Sequence, residues 1–262
     1  MHGGFGDTYE LAEGTRYHRL PCCRWFLSLV PPSRRRARKK YHRLSFYPWF
    51  LKHLAASGIF SGLAVRHCRN EEYMSAAISY YYFLFHLSMG MLFMAPDLTP
   101  YGVQSKLAED WVKKDKDPSK RIEHDDVRDF LGQAERRGLL SRQFLTRYDI
   151  AREMREFFNY GPAVHARRRK IRFFSCNHSP VRLQDMLREA HQLVGESARA
   201  ITEIAADSGA SLARDLRRDA NPLTMSSEFG YADWCPQDVL EAARRVCTEV
   251  ADTLDAGGSA AR

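Results

Sequence analysis

Two runs of the chain hold the residues best equipped for chemistry. The stretch HARRRKIRFFSCNH (165–178) sets Arg167, Arg168, Arg169, Lys170 and Arg172 beside Phe173 and Phe174, then Cys176, Asn177 and His178. Earlier, SRRRARKK (33–40) supplies Arg34, Arg35, Arg36, Arg38, Lys39 and Lys40, followed by Tyr41, His42 and Arg43, with Trp25 upstream. Cations mixed with aromatic rings suit single-stranded nucleic acid, because the cations neutralise phosphates while rings stack on unpaired bases. The plain alternative for either run is a solvated basic face. Cys176-x-His178 is half of a metal-ligand pattern that His165 or His191 would have to complete. Zinc sites pair two closely spaced ligand sets, so no metal is expected here. The Gly-Gly-Phe-Gly near the N-terminus has no Lys-Ser/Thr after it and is not a phosphate loop. Neither a G-x-S-x-G elbow nor an H-E-x-x-H helix occurs, and no cofactor is implied.

Charge is distributed unevenly along these 262 residues, whose formal net charge is +8. Residues 1–45 carry ten Lys/Arg against three Asp/Glu, and residues 163–182 carry six against none. Residues 183–262 reverse the balance, with eight against fourteen. Two basic segments therefore flank a balanced middle, an arrangement that favours an anionic partner. Apolar residues make up 44% and aromatics 12%, the composition of a folded chain with a sizeable core. No two of the cysteines form a C-x-x-C pair, and Cys22 and Cys23 are adjacent. The N-terminus lacks a basic head followed by an apolar stretch. A cytoplasmic protein with reduced thiols is expected.

The elements that must position these residues are helical. Glycines and prolines break residues 1–43 into a basic, partly disordered arm. The pattern LSFYPWFLKHLAA predicts a helix over 44–56, with Pro48 in its first turn and Ser57-Gly58 ending it. A second helix is expected over 70–95, with Asn70 as its N-cap and Pro96 as its stop. A polar loop follows, with a short helix near 103–114. Further helices are predicted over 122–137, 142–158 (closed by Gly161-Pro162), 181–206 and 237–254, with 207–236 as a connection. Only Lys170–Phe174 suggests a short strand. The expected fold is all-α, a helical bundle at 44–206 with a helical C-terminal extension at 207–262.

The stretch 73–96 has no charged residue and is long enough to span a bilayer. Ser75, Ser79, Tyr80, Tyr81, Tyr82, His86 and Ser88 scatter polar groups through its middle, which disfavours a membrane span. Its apolar residues suggest one stripe through Tyr73, Ala77, Tyr81, Leu84, Phe85, Ser88 and Leu92, while a core helix covered on both sides would be apolar nearly all round.

Ordered phrases around this helix resemble the HEPN superfamily, helical domains named after nucleotide binding in higher eukaryotes and prokaryotes. SYYYFLFH (79–86) matches the phrase that ends a bacterial second helix. His124 matches a histidine that opens the next helix. REFFNYGP (155–162) places Arg155, Asn159, Tyr160 and Gly161 in a later signature, and residues 181–206 match a long closing helix. The resemblance covers roughly 44–206. It implies an RNA-associated domain, a homodimer, and a bacterial toxin–antitoxin or defence setting. Many members are metal-independent ribonucleases whose arginine holds a phosphate while a histidine four to six residues later transfers a proton. This chain departs from that pattern, because Tyr160 stands where the histidine would be and Ser79 occupies the family's second-helix arginine slot. A tyrosine of reference pKa about 10 is a poor base. The resemblance therefore implies a catalytically degenerate RNA-binding or regulatory protein with Arg155 and Tyr160 at its site. An active endoribonuclease is the alternative, with Arg172 and His178 as a displaced pair. A bundle that contacts a protein partner and no nucleic acid is the third reading.

Overall fold

The computed structural model describes residues 46–108, 122–167, 180–220 and 235–260, with the side chains of 160–167 outside that description. Every regular element among them is helical. These are α1 (Phe46–Arg69), α2 (Tyr73–Met94), α3 (Tyr101–Ala108), α4 (His124–Arg136), α5 (Arg142–Arg167), α6 (Pro180–Arg188), α7 (Ala190–Ala205), α8 (Gly209–Asp219) and α9 (Gln237–Ala260). Short 3-10 turns follow α2 at Pro96–Leu98 and α7 at Ala206–Ser208. The basic arm and the Lys170–Phe174 strand candidate lie outside the described residues.

Helix α2 is the axis of the bundle, touching α1, α4, α5, α6 and α7. Most of it is buried, from Ala76, Tyr80, Phe83 and Leu87 to Tyr81, Leu84 and Leu92, while Met74 and Ser75 are exposed and Ile78, Tyr82, Phe85 and His86 half-buried. The buried residues thus extend well beyond the single apolar stripe expected from the sequence. Within its most apolar window, 78% of residues are covered by protein, which accounts for their apolarity without lipid. Ser88 turns its hydroxyl onto the Leu84 carbonyl at 2.7 Å, so this polar group is satisfied inside its own helix.

Several sequence-predicted boundaries shift, each for a physical reason. Helix α1 continues past Ser57-Gly58 to Arg69, because Gly58 is a packing glycine and not a cap. A Cβ at Gly58 would stand 2.9 Å from the Ala242 carbonyl oxygen and 3.0 Å from the Ala243 nitrogen, both backbone atoms of α9. One turn on, a Cβ at Gly62 would meet Val239 Cα and the Ala242 methyl at 3.0 Å. The two glycines let α9 lie directly against α1. Asn70 is not the cap of α2. It begins a tight turn in which Glu71 adopts φ 62° before α2 starts at Tyr73.

Helix α5 runs through Gly161-Pro162 to Arg167, so that pair does not close it. The long helix over 181–206 is two, α6 and α7, parted at Glu189; apolar periodicity continues across the joint and conceals it. The connection 207–236 contains α8, whose Leu212, Ala213 and Leu216 are buried. The last helix extends to Ala260 and packs on α1, α7 and α8.

Glycine substitutions separate packing from propensity. Gly58→Ala gains about 1 kcal/mol of helix propensity but drives a methyl into α9 backbone, an overpacking cost of about 1–3 kcal/mol. Gly132→Ala in α4 gains the same propensity, and its new methyl meets only the end of Arg128 at 3.7 Å. Urea unfolding is expected to show Gly58→Ala destabilised and Gly132→Ala stabilised.

Candidate functional site

Helices α2, α4 and α5 meet at a corner where aromatic, imidazole and guanidinium groups converge. Helix α4 starts at His124, fixed by the Glu123 backbone N–H donating to the Asp126 carboxylate at 2.8 Å. This start places the His124 imidazole 2.6 Å, Nδ1 to Oη, from Tyr81 of α2. The Phe85 ring meets the same imidazole edge-on at 4.8 Å between centroids. From α5, the Tyr148 hydroxyl lies 3.4 Å from both the Tyr81 hydroxyl and the His124 carbonyl. Burial pushes Tyr81 up to about 12, against the opposing influences of the Tyr148 hydrogen bond and Arg155, so its hydroxyl keeps its proton and can donate to His124 Nδ1. In that arrangement the imidazole carries its own hydrogen on Nε2.

Arg155 reaches the corner from one turn beyond Arg152. It is 9% exposed, and its guanidinium lies over the Tyr81 and Tyr82 rings at 5.4 and 5.8 Å. Stacking of this kind favours a cation removed from water. Nearer the rim, Arg152 donates to Asp125 at 2.6 Å and to Glu156 at 3.0 Å. Burial lowers the pKa of His124, and Arg155 and Arg152 lower it further, while Glu156 and Asp125 oppose them. His124 is consequently neutral at neutral pH, the form in which an imidazole can accept or relay a proton.

The corner adjoins a second histidine contact. His86, one residue beyond Phe85, sits 2.8 Å, Nδ1 to Nδ1, from His53 of α1. On the opposite side of α2, Tyr80 is fully buried near Arg147, which is paired with Glu189 at the α6–α7 joint.

The structure therefore brings Arg155 of α5 and His124 of α4 to the same corner, from consecutive helices. Tyr160 and Arg167 lie on α5 backbone, with side chains outside the described residues. Arg34, Arg35, Arg36, Arg38, Lys39, Lys40, Arg168, Arg169, Lys170, Arg172 and His178 also lie outside them. His124 opens its helix as expected, and His86 is half-buried on α2; no sequence pattern connects either to a partner. No local motif marks His53 or Arg152, and helical periodicity marks Tyr148 only as a core-facing residue of its helix. Among the described residues no group of three or more His, Cys, Asp or Glu could hold a metal ion. A separate cleft of about 520 Å³ is lined by Val65, Cys68, Arg69, Gln184, Leu187 and Arg188. Burial raises the Cys68 thiol there, so it stays protonated at neutral pH.

Replacing Arg155 with methionine removes a nearby cation while keeping apolar bulk. The His124 pKa is expected to rise toward the ordinary value of about 6.5, read from imidazole shifts in an NMR titration; an unchanged pKa would place Arg155 outside its electrostatic reach. No protein-family model, no curated protein and no solved structure matches this chain.

Proposed function

We propose that this chain is a cytoplasmic, HEPN-like helical protein that binds RNA, acting in a regulatory and not a hydrolytic capacity, in a bacterial toxin–antitoxin or defence setting. The observation that carries the reading is Arg155 stacked over Tyr81 and Tyr82 and coupled to the neutral imidazole of His124. A buried guanidinium projects positive potential toward the corner, and the half-buried His124 and Arg152 form its outer edge. A phosphate approaching that edge would meet the imidazole N–H and this potential, while bases stack on neighbouring rings. The chain's excess positive charge, concentrated in the two basic segments, would draw the polyanion in. The family resemblance supplies the choice of RNA and the expectation of a homodimer.

The regulatory form is preferred because Arg155 is almost wholly covered and the family's histidine position is held by Tyr160. His124 favours a second reading. A neutral imidazole held by Tyr81 beside an arginine is competent for proton transfer, as a metal-independent endoribonuclease would require.

Binding of fluorescently labelled single-stranded RNA is expected to weaken steeply as salt rises, and Arg155→Met is expected to weaken it about tenfold, a cost of about 1.4 kcal/mol. Salt-insensitive or absent binding would sink the reading and leave a protein-interaction bundle. Incubated with labelled RNA in chelator, the protein is expected to leave the strand intact. Cleavage that disappears in His124→Ala would replace the regulatory reading with the nuclease.

A further inference from the structure

We propose that His53 and His86 form a single-proton latch on the seam between α1 and α2, which holds at neutral pH and releases on acidification. The two Nδ1 atoms are 2.8 Å apart, a hydrogen-bond distance that requires one ring to bring an N–H and the other a bare lone pair. His53 is buried and His86 half-buried, each against an aromatic ring. His53 stacks on Phe93 at 5.5 Å and 16°, His86 stacks on Phe60 at 5.3 Å and 10°, and the two imidazoles meet edge to edge with centroids 5.1 Å apart. His53 is 3% exposed, and its Nε2 is buried without a hydrogen-bond partner. An orphaned lone pair costs less than an orphaned N–H. The proton order is therefore His53 Nδ1–H donating to His86 Nδ1, with the other hydrogen of His86 on Nε2.

This pair holds one shared proton and has no room for another. A proton added at His86 Nδ1 would face the His53 N–H directly. One added at His53 Nε2 would leave a cation in an apolar stack. The ionisable groups facing the pair are Lys52 on α1, Tyr82 on α2 and His124 on α4. Lys52, and His124 when protonated, repel a new positive charge. Burial is the largest influence, and with Lys52 and His124 it holds His86 at about 4, while His53 lies well below its ordinary value.

The sign follows from these depressed values. The folded seam binds no extra proton near pH 5, whereas separated imidazoles reach water and titrate at about 6.5. The contribution is fully present above that value and lost as pH falls below it. Each histidine favours the opened state by about 30-fold at pH 5, so the pair favours it by roughly a thousandfold. The latch joins the two helices that form the seam and does not depend on RNA binding.

Two measurements on the full chain test it. In imidazole-labelled protein at pH 7.5, NMR is expected to show one Nδ1–H and one Nε2–H tautomer, with scalar coupling between the two Nδ1 atoms across the hydrogen bond. Two Nε2–H tautomers without coupling would overturn the latch. Hydrogen exchange of α1 and α2 amides, corrected for intrinsic rates, is expected to show the opening equilibrium rising between pH 7.5 and pH 5. In the double variant His53→Asn/His86→Asn, which keeps polar groups that do not titrate, that rise is expected to shrink by roughly a thousandfold. An equal rise in the double variant would overturn the proposal. If the variant does not fold, the tautomer and coupling measurement decides alone.

Discussion

Burial of most of α2 is the constraint from which the architecture follows. A helix buried over most of its surface can turn few polar residues toward solvent. Most of those enclosed find a partner inside the protein or within its own backbone, while the Tyr80 hydroxyl is buried without one among the described residues. The Ser88 hydroxyl turns back on its helix, the Tyr81 hydroxyl meets His124, and the His86 ring meets His53. These contacts tie α2 to α4 and α1 through directional bonds, where apolar packing alone would permit sliding. Helix α9 completes the bundle by packing on α1 across Gly58 and Gly62.

The same constraint shapes the electrostatics. Buried imidazoles stay neutral because desolvation disfavours their charged form, and the nearby cations reinforce that preference. Arg155 keeps its charge in the interior over the faces of two tyrosines of α2, as Arg147 does beside Glu189. Around it, Arg152 is balanced by Asp125 and Glu156. The corner therefore combines a fixed cation with a neutral, oriented imidazole. The proposed RNA role depends on that combination.

The sequence shows the helical class and the central position of α2, because an uncharged apolar run with helical spacing has few alternatives once its hydroxyls are weighed. It also shows Pro48 in the first turn of α1 and His124 at the start of α4. Glycine was misread at position 58 because a packing glycine and a terminating glycine are the same letter; only the α9 backbone distinguishes them. The α6–α7 joint left no mark in periodicity. At the site, Arg155 was legible as a candidate, but its histidine was sought within a few residues on the same helix. The imidazole that Arg155 influences, His124, comes from α4, and His53 comes from α1, at separations where spacing carries no signal. Such pairings follow from packing, through the burial of α2, and not from motif.

The central claim is that Arg155 and His124 act as one site for a phosphate-bearing strand. The most direct measurement follows the His124 imidazole resonances while a short single-stranded oligoribonucleotide is titrated into the full-length protein at low salt. The account predicts a saturable shift of His124 in the wild type and its loss in Arg155→Met. Binding that leaves His124 unperturbed, or perturbs it equally in both proteins, would contradict the claim.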